Sequence, residues 1–193
     1  MFGLKGVKPV DFANGIGKGA EKYIKAAANV HGLQLNPELL QAAARLREQY
    51  LIKVIKKEPL PIFPGVLELM EAALQREDFR LAIATSASLE LSRTILESVK
   101  VPYQKMVYVT GSEIRQKKPD PSLFLTAASR MVISPANCVV FEDAPSGVQA
   151  AKAAGAKCIA VTNSTTAENL SGADLICNSL EQVNIDTIRK LID

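Results

Sequence analysis

Apolar residues follow a helical period over the first third of the chain. Two stripes recur at spacings of three and four residues: Ala20, Tyr23, Ile24 and Ala27, and then Leu39, Ala43, Leu46 and Tyr50. Between them Asn36 precedes Pro37, a helix-start signal, because Asn caps free amides and Pro fits the first helical turn. This part of the chain is therefore predicted to be helical, without a strand.

A stiff connection follows the helical part. It contains Pro59, Pro61 and Pro64, and Gly65 comes directly after the last proline. Such a run breaks helices and is typical of a junction between two units. We therefore predict one helical unit over residues 1–58 and a second unit over residues 59–193.

The second unit alternates between strand-like and helix-like runs. Strands are predicted at 81–84, 106–109, 138–141, 158–161 and 175–177, with helices at 66–74, 89–96, 123–131 and 147–154 and a last helix to residue 192. This alternation predicts an α/β fold with a Rossmann-like parallel sheet flanked by helices. Ligands of such sheets bind beyond the carboxyl ends of the strands, so residues just after each strand are candidates for the site.

Composition excludes several classes of partner. The chain has 193 residues, of which 48% are hydrophobic, and its net charge of +3 is spread along the sequence, so we expect no nucleic-acid surface. The apolar runs are strand-length and predict no membrane span. The first ten residues lack the apolar run of a secretory signal, so we expect a cytoplasmic protein, with organelle targeting left open.

Cysteine and histidine usage argues against some kinds of catalysis. Cys138, Cys158 and Cys177 lie in or beside apolar runs and are predicted to be reduced structural thiols. The single histidine, His31, is predicted to be solvated in the last turn of a helix. One histidine there argues against a Ser-His-Asp hydrolase and against a multi-histidine metal enzyme.

Three strand ends supply residues with complementary chemistry. Thr85 and Ser86 follow the strand at 81–84, Lys118 follows the strand at 106–109, and Glu142 and Asp143 follow the strand at 138–141. A hydroxyl and backbone amides bind phosphoryl oxygens, a lysine neutralises developing charge, and paired carboxylates bind Mg²⁺. Each feature alone has an ordinary interpretation as a helix cap, a solvated surface or a turn. Their common placement favours a phosphate and magnesium site.

These motifs resemble those of the haloacid dehalogenase superfamily, in particular the subgroup of beta-phosphoglucomutases and small phosphatases. The segments 83–86, 118–121 and 140–147 resemble its second, third and fourth motifs, and residues 63–66 are similar to its return from a helical cap to the core. The resemblance implies that Thr85, Ser86 and Lys118 bind the phosphoryl group. It also implies that Asp143 and Glu142 hold Mg²⁺. The implied reaction is hydrolysis of a small phosphorylated metabolite, a sugar phosphate or a nucleotide monophosphate, through an aspartyl-phosphate.

The first motif of that superfamily, Asp-x-Asp after the first core strand, occurs nowhere in the sequence. Asp11 follows no apolar strand and lacks the second carboxylate, so it is assigned to the helical cap. We therefore expect a core without its first strand, an open apolar slot where that strand would lie, and self-association through the opened sheet. This chain alone is expected to be inactive. An incomplete gene model, a splice form or alternative start, and a natural pseudoenzyme stay open, as does a sugar phosphomutase.

Two rival interpretations fit less well. The run from Gly15 through Gly17 and Lys18 to Gly19 has the glycines of a nucleotide loop, but no strand precedes it and its spacing fits neither fingerprint. We assign it to a cap loop that selects substrate. A phosphorylation receiver domain would use similar residues around Mg²⁺, but that class predicts a shorter chain without a helical cap.

Overall fold

The computed structural model describes residues 6–193 as an α/β protein of parallel strands and helices. The helices are α1 (Ala20–Val30), α2 (Pro37–Lys57), α3 (Val66–Leu74), α4 (Leu89–Ser98), α5 (Ser122–Met131), α6 (Pro145–Ala153) and α7 (Ile185–Ile192). The strands are β1 (Ala82–Ala84), β2 (Val107–Val109), β3 (Val139–Glu142), β4 (Lys157–Val161) and β5 (Leu175–Cys177). Within the described residues, no helix is long and apolar enough to cross a membrane.

The N-terminal part is helical, as its periodicity predicts. Asn36 caps α2, because its side-chain oxygen accepts a hydrogen bond from the Leu39 amide at 2.8 Å. Helix α2 buries Ile52 and Ile55 against Leu91 of α4, and this contact joins the N-terminal helices to the rest of the molecule. The predicted stripe on α2 is only partly buried: Ala43 is buried, whereas Leu39, Leu46 and Tyr50 are exposed.

The strands form two separate parallel sheets. In one sheet β1 pairs with β2, with Ala82 opposite Val107. In the other β4 lies between β3 and β5, with Val140 opposite Cys158. The residues Cys158, Ile159 and Ala160 of β4 are fully buried, so this strand is the centre of the core. Helix α6 packs on one face of the larger sheet and α7 on the other, which gives the predicted flanked parallel architecture.

The two sheets lie edge to edge, with an apolar cavity of about 830 Å³ between them. We call this cavity the slot. One edge of β1 and one edge of β3 border it, and neither edge pairs with a strand of the described chain. The strand residues beside it are only half-buried, and Phe141 remains 37% exposed. The slot corresponds to the open apolar space that the sequence led us to expect.

His31 was predicted to be solvated, but the structure shows that it is half-buried. It caps the carboxyl end of α1, and its Nε2 lies 2.8 Å from the Asp11 carboxylate, with 22% of the His31 side chain exposed. A hydrogen bond from the Lys8 amide and the neighbouring His31 together hold the pKa of Asp11 below its usual value. The contact between His31 and Asp11 therefore fastens the short 3-10 helix Pro9–Gly15 to the end of α1.

Candidate functional site

The carboxyl ends of β1 and β3 open on one cleft of about 550 Å³. All five residues predicted to bind phosphate or metal line it: Thr85, Ser86, Lys118, Glu142 and Asp143. Gly15 and Gly17 of the glycine-rich run also line the cleft from the N-terminal side. Lys18 is half-buried but does not border the cleft.

The turn after β1 positions the two hydroxyl residues. The Thr85 amide donates to the Val109 carbonyl at 3.0 Å. This hydrogen bond extends the pairing of β1 with β2 to the edge of the cleft. The Thr85 hydroxyl oxygen then accepts from the Ala87 amide at 3.1 Å, and the Ser88 side chain caps α4. The amino end of α4 therefore begins beside the cleft, where its dipole favours an anion.

Lys118 and Glu142 form a buried ion pair at the floor of the cleft. Their side chains are 6% and 8% exposed, and the Lys118 ammonium also lies 4.7 Å from the centre of the Phe124 ring. The next-door Lys117 does not share this position, because its ammonium donates to the Ile114 carbonyl at 2.6 Å. Burial lowers the pKa of Lys117. The structure thus separates the two lysines, with Lys118 directed to the cleft and Lys117 to a loop.

The loop after β3 places Asp143 at the border of the cleft. The Ser164 hydroxyl donates to the Asp143 carboxylate, which joins the ends of β3 and β4. Gly147 leaves room for the Glu142 carboxylate, since a Cβ at this position would lie 2.0 Å from the Glu142 carboxyl carbon. The shape of this acidic corner therefore depends on Gly147.

This acidic corner offers Mg²⁺ only two carboxylates as protein ligands. Mg²⁺ in proteins is usually held by one or two carboxylates together with waters and phosphate oxygens. Asp143 and Glu142 supply two carboxylates, although Glu142 is paired with Lys118. Within residues 6–193 there is no group of three or more His, Cys, Asp or Glu side chains that would form an all-protein metal cage. The residues present therefore fit a magnesium ion that keeps most of its water or phosphate ligands.

The glycine-rich run covers the cleft through backbone contacts. The Ser86 hydroxyl donates to the Gly17 carbonyl at 2.9 Å, and the Ser146 hydroxyl donates to the Ile16 carbonyl at 3.2 Å. Gly17 has a φ of +74°, and a Cβ there would lie 2.8 Å from the Ser146 hydroxyl oxygen. Glycine therefore allows this loop to approach the core.

Sequence reasoning missed the polar residues that α1 and α2 contribute to the cleft. Arg47 lies 4.5 Å above the ring of Tyr23, and both residues border the cleft, as does Glu48. Glu48 accepts a hydrogen bond from Ser88, and burial, followed by the nearby Glu90, raises its pKa. These residues lie inside helices, where no sequence signal marks them. Ser164 follows a strand, so inspection of the end of β4 would have found it.

A model of the haloacid dehalogenase-like hydrolases matches residues 4–155, which include all five residues predicted to bind phosphate or metal. The chain belongs to that family.

The names of two relatives of this haloacid dehalogenase-like hydrolase describe action on phosphorylated compounds. It is 33% identical over 134 residues to hexitol phosphatase A of Escherichia coli, covering 69% of this chain and 61% of that protein. It is 27% identical over 155 residues to beta-phosphoglucomutase of Bacillus subtilis, covering 80% of this chain and 66% of that one. The chain thus spans less than two thirds of the length of each.

A solved member shares the fold of this haloacid dehalogenase-like hydrolase. The crystal structure of CbbY from Rhodobacter sphaeroides in complex with phosphate matches with a TM-score of 0.77 at 25% identity. The match covers 89% of this chain and 78% of that structure. The family and its phosphatase and phosphomutase relatives agree with the resemblance inferred from the motifs.

Proposed function

We propose that the cleft binds the phosphoryl group of a small phosphorylated metabolite beside Mg²⁺ and that its residues serve phosphomonoester hydrolysis. The observation that carries this proposal is the convergence of Thr85, Lys118 and Asp143, from three separate strand ends, on one cleft. The cleft volume of about 550 Å³ suits a metabolite of the size of a sugar phosphate or a nucleotide monophosphate.

The phosphoryl group is assigned to the side of the cleft formed by Thr85, Ser86 and Lys118. A hydroxyl and the amino end of α4 favour phosphoryl oxygens, and a buried ammonium stabilises the negative charge that grows on them during transfer. Lys118 is well placed for this second role, because the Glu142 contact holds its ammonium at the floor of the cleft. The site thus has a rigid cation where the charge of the transferring group develops.

The magnesium ion is assigned to Asp143, with Glu142 beside it. When bound, the ion would neutralise phosphoryl oxygens and orient the group for attack. Asp143 is the main protein ligand in this proposal, because Lys118 engages Glu142. Ser164 orients the Asp143 carboxylate through its hydrogen bond.

Hydrolysis through an aspartyl-phosphate also needs a nucleophilic carboxylate, and the sequence has no Asp-x-Asp motif to supply it. We therefore propose that residues 1–193 by themselves bind phosphate and Mg²⁺ but turn substrate over poorly. This is a second function class, a phosphate-binding protein without catalysis, and the missing motif is the observation that favours it.

The binding part is tested by calorimetric titration of inorganic phosphate in the presence and absence of Mg²⁺. We expect Mg²⁺ to tighten phosphate binding and Asp143→Asn to abolish that effect. The matched control is Asp186→Asn, which changes an exposed aspartate on α7 outside the cleft. Equal phosphate binding by Asp143→Asn and the control would contradict the assigned metal site.

The catalytic part is tested by hydrolysis of an aryl phosphate with Mg²⁺. We expect no turnover above that of Asp143→Ala. Turnover that disappears in Asp143→Ala would show that residues 1–193 catalyse hydrolysis by themselves, and it would refute the binding-only function while supporting the metal site.

A further inference from the structure

The N-terminal side of the cleft carries a stack of three planar side chains. The rings of Phe12 and Tyr23 lie 4.5 Å apart with an angle of 18° between their planes. The guanidinium carbon of Arg47 lies 4.5 Å from the centre of the Tyr23 ring. A ring and a guanidinium at these distances do not fit on one face of Tyr23, so they cover its two faces. Because Tyr23 and Arg47 border the cleft and Phe12 does not, Arg47 is the end of the stack that faces the cleft.

The packing of the N-terminal helices holds this stack in place. Tyr23 lies in α1 and Arg47 lies in α2, and these two helices pack against each other. A Cβ at Gly15 would collide with the backbone of Tyr23, so glycine lets the loop before α1 pack directly on this part of the helix. A guanidinium that is already stacked on a ring loses little freedom when a ligand covers its other face. Arg47 is therefore pre-organised for contact with a ligand.

Two carboxylates lie near the cleft end of the stack. Glu48 follows Arg47 and borders the cleft, and its carboxylate accepts a hydrogen bond from Ser88. Glu90 lies close enough to Glu48 for their charges to interact. The positive charge of Arg47 is thus set against two negative charges, which disfavours a second phosphoryl or carboxylate group of a ligand at this place. An uncharged group fits this part of the cleft better.

The surface that the stack presents to the cleft narrows the choice of that group. Phe12 and Arg47 cover both faces of Tyr23, so the Tyr23 ring has no open face on which the C–H groups of a sugar could pack. The surface that faces the cleft is a flat guanidinium instead. Guanidinium groups stack on planar, delocalised rings, and the nucleobases are rings of this kind. A nucleobase therefore fits the end of the stack better than a hexose does.

We propose that Arg47 selects a nucleoside monophosphate as the ligand of the cleft, with the base stacked on its guanidinium. This inference rests on the proposed function, because it places the phosphoryl group at Thr85 and Lys118. These two residues follow core strands and Arg47 comes from α2, and all three border the same cleft of about 550 Å³. The ribose connects the two ends of the ligand. Of the two ligand classes that the sequence leaves open, the stack selects the nucleotide over the sugar phosphate.

The proposal is tested by calorimetric titration of residues 1–193 with two ligands in the presence of Mg²⁺. One ligand is adenosine monophosphate, and the other is the ribose phosphate that remains when its base is removed. Both carry the same phosphoryl group on the same sugar, so the ratio of their dissociation constants reports the contribution of the base. We expect adenosine monophosphate to bind about tenfold more tightly.

Two variants of α2 separate stacking from charge. Arg47→Lys keeps the positive charge but lacks the flat surface, so we expect the preference for adenosine monophosphate to disappear. Arg45→Lys makes the same chemical change at an exposed residue of α2 outside the cleft, and we expect it to keep the preference. Each ratio is measured within one protein, so a change in stability or in the phosphate site affects both ligands alike.

Inorganic phosphate with Mg²⁺ separates this proposal from the proposed function. Phosphate binding together with equal affinities for the two ligands would refute the stacked base and leave the phosphate site standing. Absence of phosphate binding would refute the proposed function, and this proposal with it.

Two further outcomes concern Arg47 itself. A preference for adenosine monophosphate that Arg47→Lys retains would show that the base does not stack on this guanidinium. Tighter binding of a sugar bisphosphate than of adenosine monophosphate, lost in Arg47→Met, would assign Arg47 to a second anionic group and overturn the proposal.

Discussion

Lys118 and Glu142 neutralise each other at a place from which water is largely excluded. Removing one partner of such a pair leaves a buried charge without compensation, which typically costs about 3–5 kcal/mol. We therefore expect Lys118→Met to lower the free energy of unfolding by about that amount, measured by urea denaturation.

A double variant separates charge from packing at this pair. Lys118→Met with Glu142→Leu removes both charges, and we expect it to recover most of the stability that the single variant loses. Equal or greater loss in the double variant would mean that the side chains matter here for shape instead of charge.

Gly147 is the second residue on which the site depends. An added Cβ would lie 2.0 Å from the Glu142 carboxyl carbon, so Gly147→Ala should displace that carboxylate. We expect a loss of stability of about 1–3 kcal/mol, as for other overpacked sites, together with weaker Mg²⁺-dependent phosphate binding. The matched control is Gly172→Ala, because its Cβ would meet Val148 at an ordinary distance of 3.5 Å. Equal losses in both variants would contradict the role of Gly147.

At the scale of elements, the contact between α2 and α4 depends on pH through Glu48. Burial and the neighbouring Glu90 raise the pKa of Glu48 above its ordinary value of 4.5, so the folded chain binds this proton more tightly than the unfolded chain does. The stabilisation from this group is fully present below that ordinary value and is lost as pH rises through the raised pKa. We expect the melting temperature of the natural chain, minus that of Glu48→Gln, to fall as pH rises above 4.5.

The Glu48→Gln comparison is needed because other carboxyls act in the opposite direction. Arg130 lowers the pKa of Glu113, for example, and hydrogen bonds from Ser122 lower the pKa of Asp120. Their contributions cancel in the difference between the two proteins, since both carry them. A difference that does not change with pH would contradict a raised pKa of Glu48 in the folded chain.

Elements were predictable where one pattern decides them. Apolar runs such as 158–161 have the length and composition of buried strands, and Asn36 with Pro37 marks a helix start that the structure contains. The residues of α2 that are buried were less predictable. Leu46 and Tyr50 follow the helical period but face solvent, because tertiary contacts with α4 select the side that carries Ile52 and Ile55.

At the scale of the molecule, the candidate site was predictable because the carboxyl ends of the parallel strands lie on one side of the fold, although the structure divides these strands between two sheets. That rule brings together Thr85, Lys118 and Asp143 from the sequence alone. It gives no information on helices packed over the cleft, so it could not identify Arg47 or Glu48. The division into units at residues 58 and 59 stays a prediction.

The arrangement of the strands in two sheets predicts that backbone amides of different strands exchange with solvent at different rates. Amides of β4, which is buried and paired on both sides, should be the slowest of the strand amides. Amides of Ala82, Ala84, Val139 and Phe141, which face the slot, should exchange faster than those of Ile83 and Val140, which face partner strands. Two-dimensional NMR of the protein in D₂O measures both sets, and uniform protection along β1 and β3 would contradict an open slot.

The cleft of about 550 Å³ also links the amount of folded protein to any ligand that occupies it. A ligand that binds only the folded chain adds stability in proportion to the logarithm of its concentration, about 2.7 kcal/mol at 100 times its dissociation constant. Because whole domains are stable by only about 5–15 kcal/mol, this gain is a large fraction of the total. A ligand of the cleft would then slow the proteolysis of this protein in a cell.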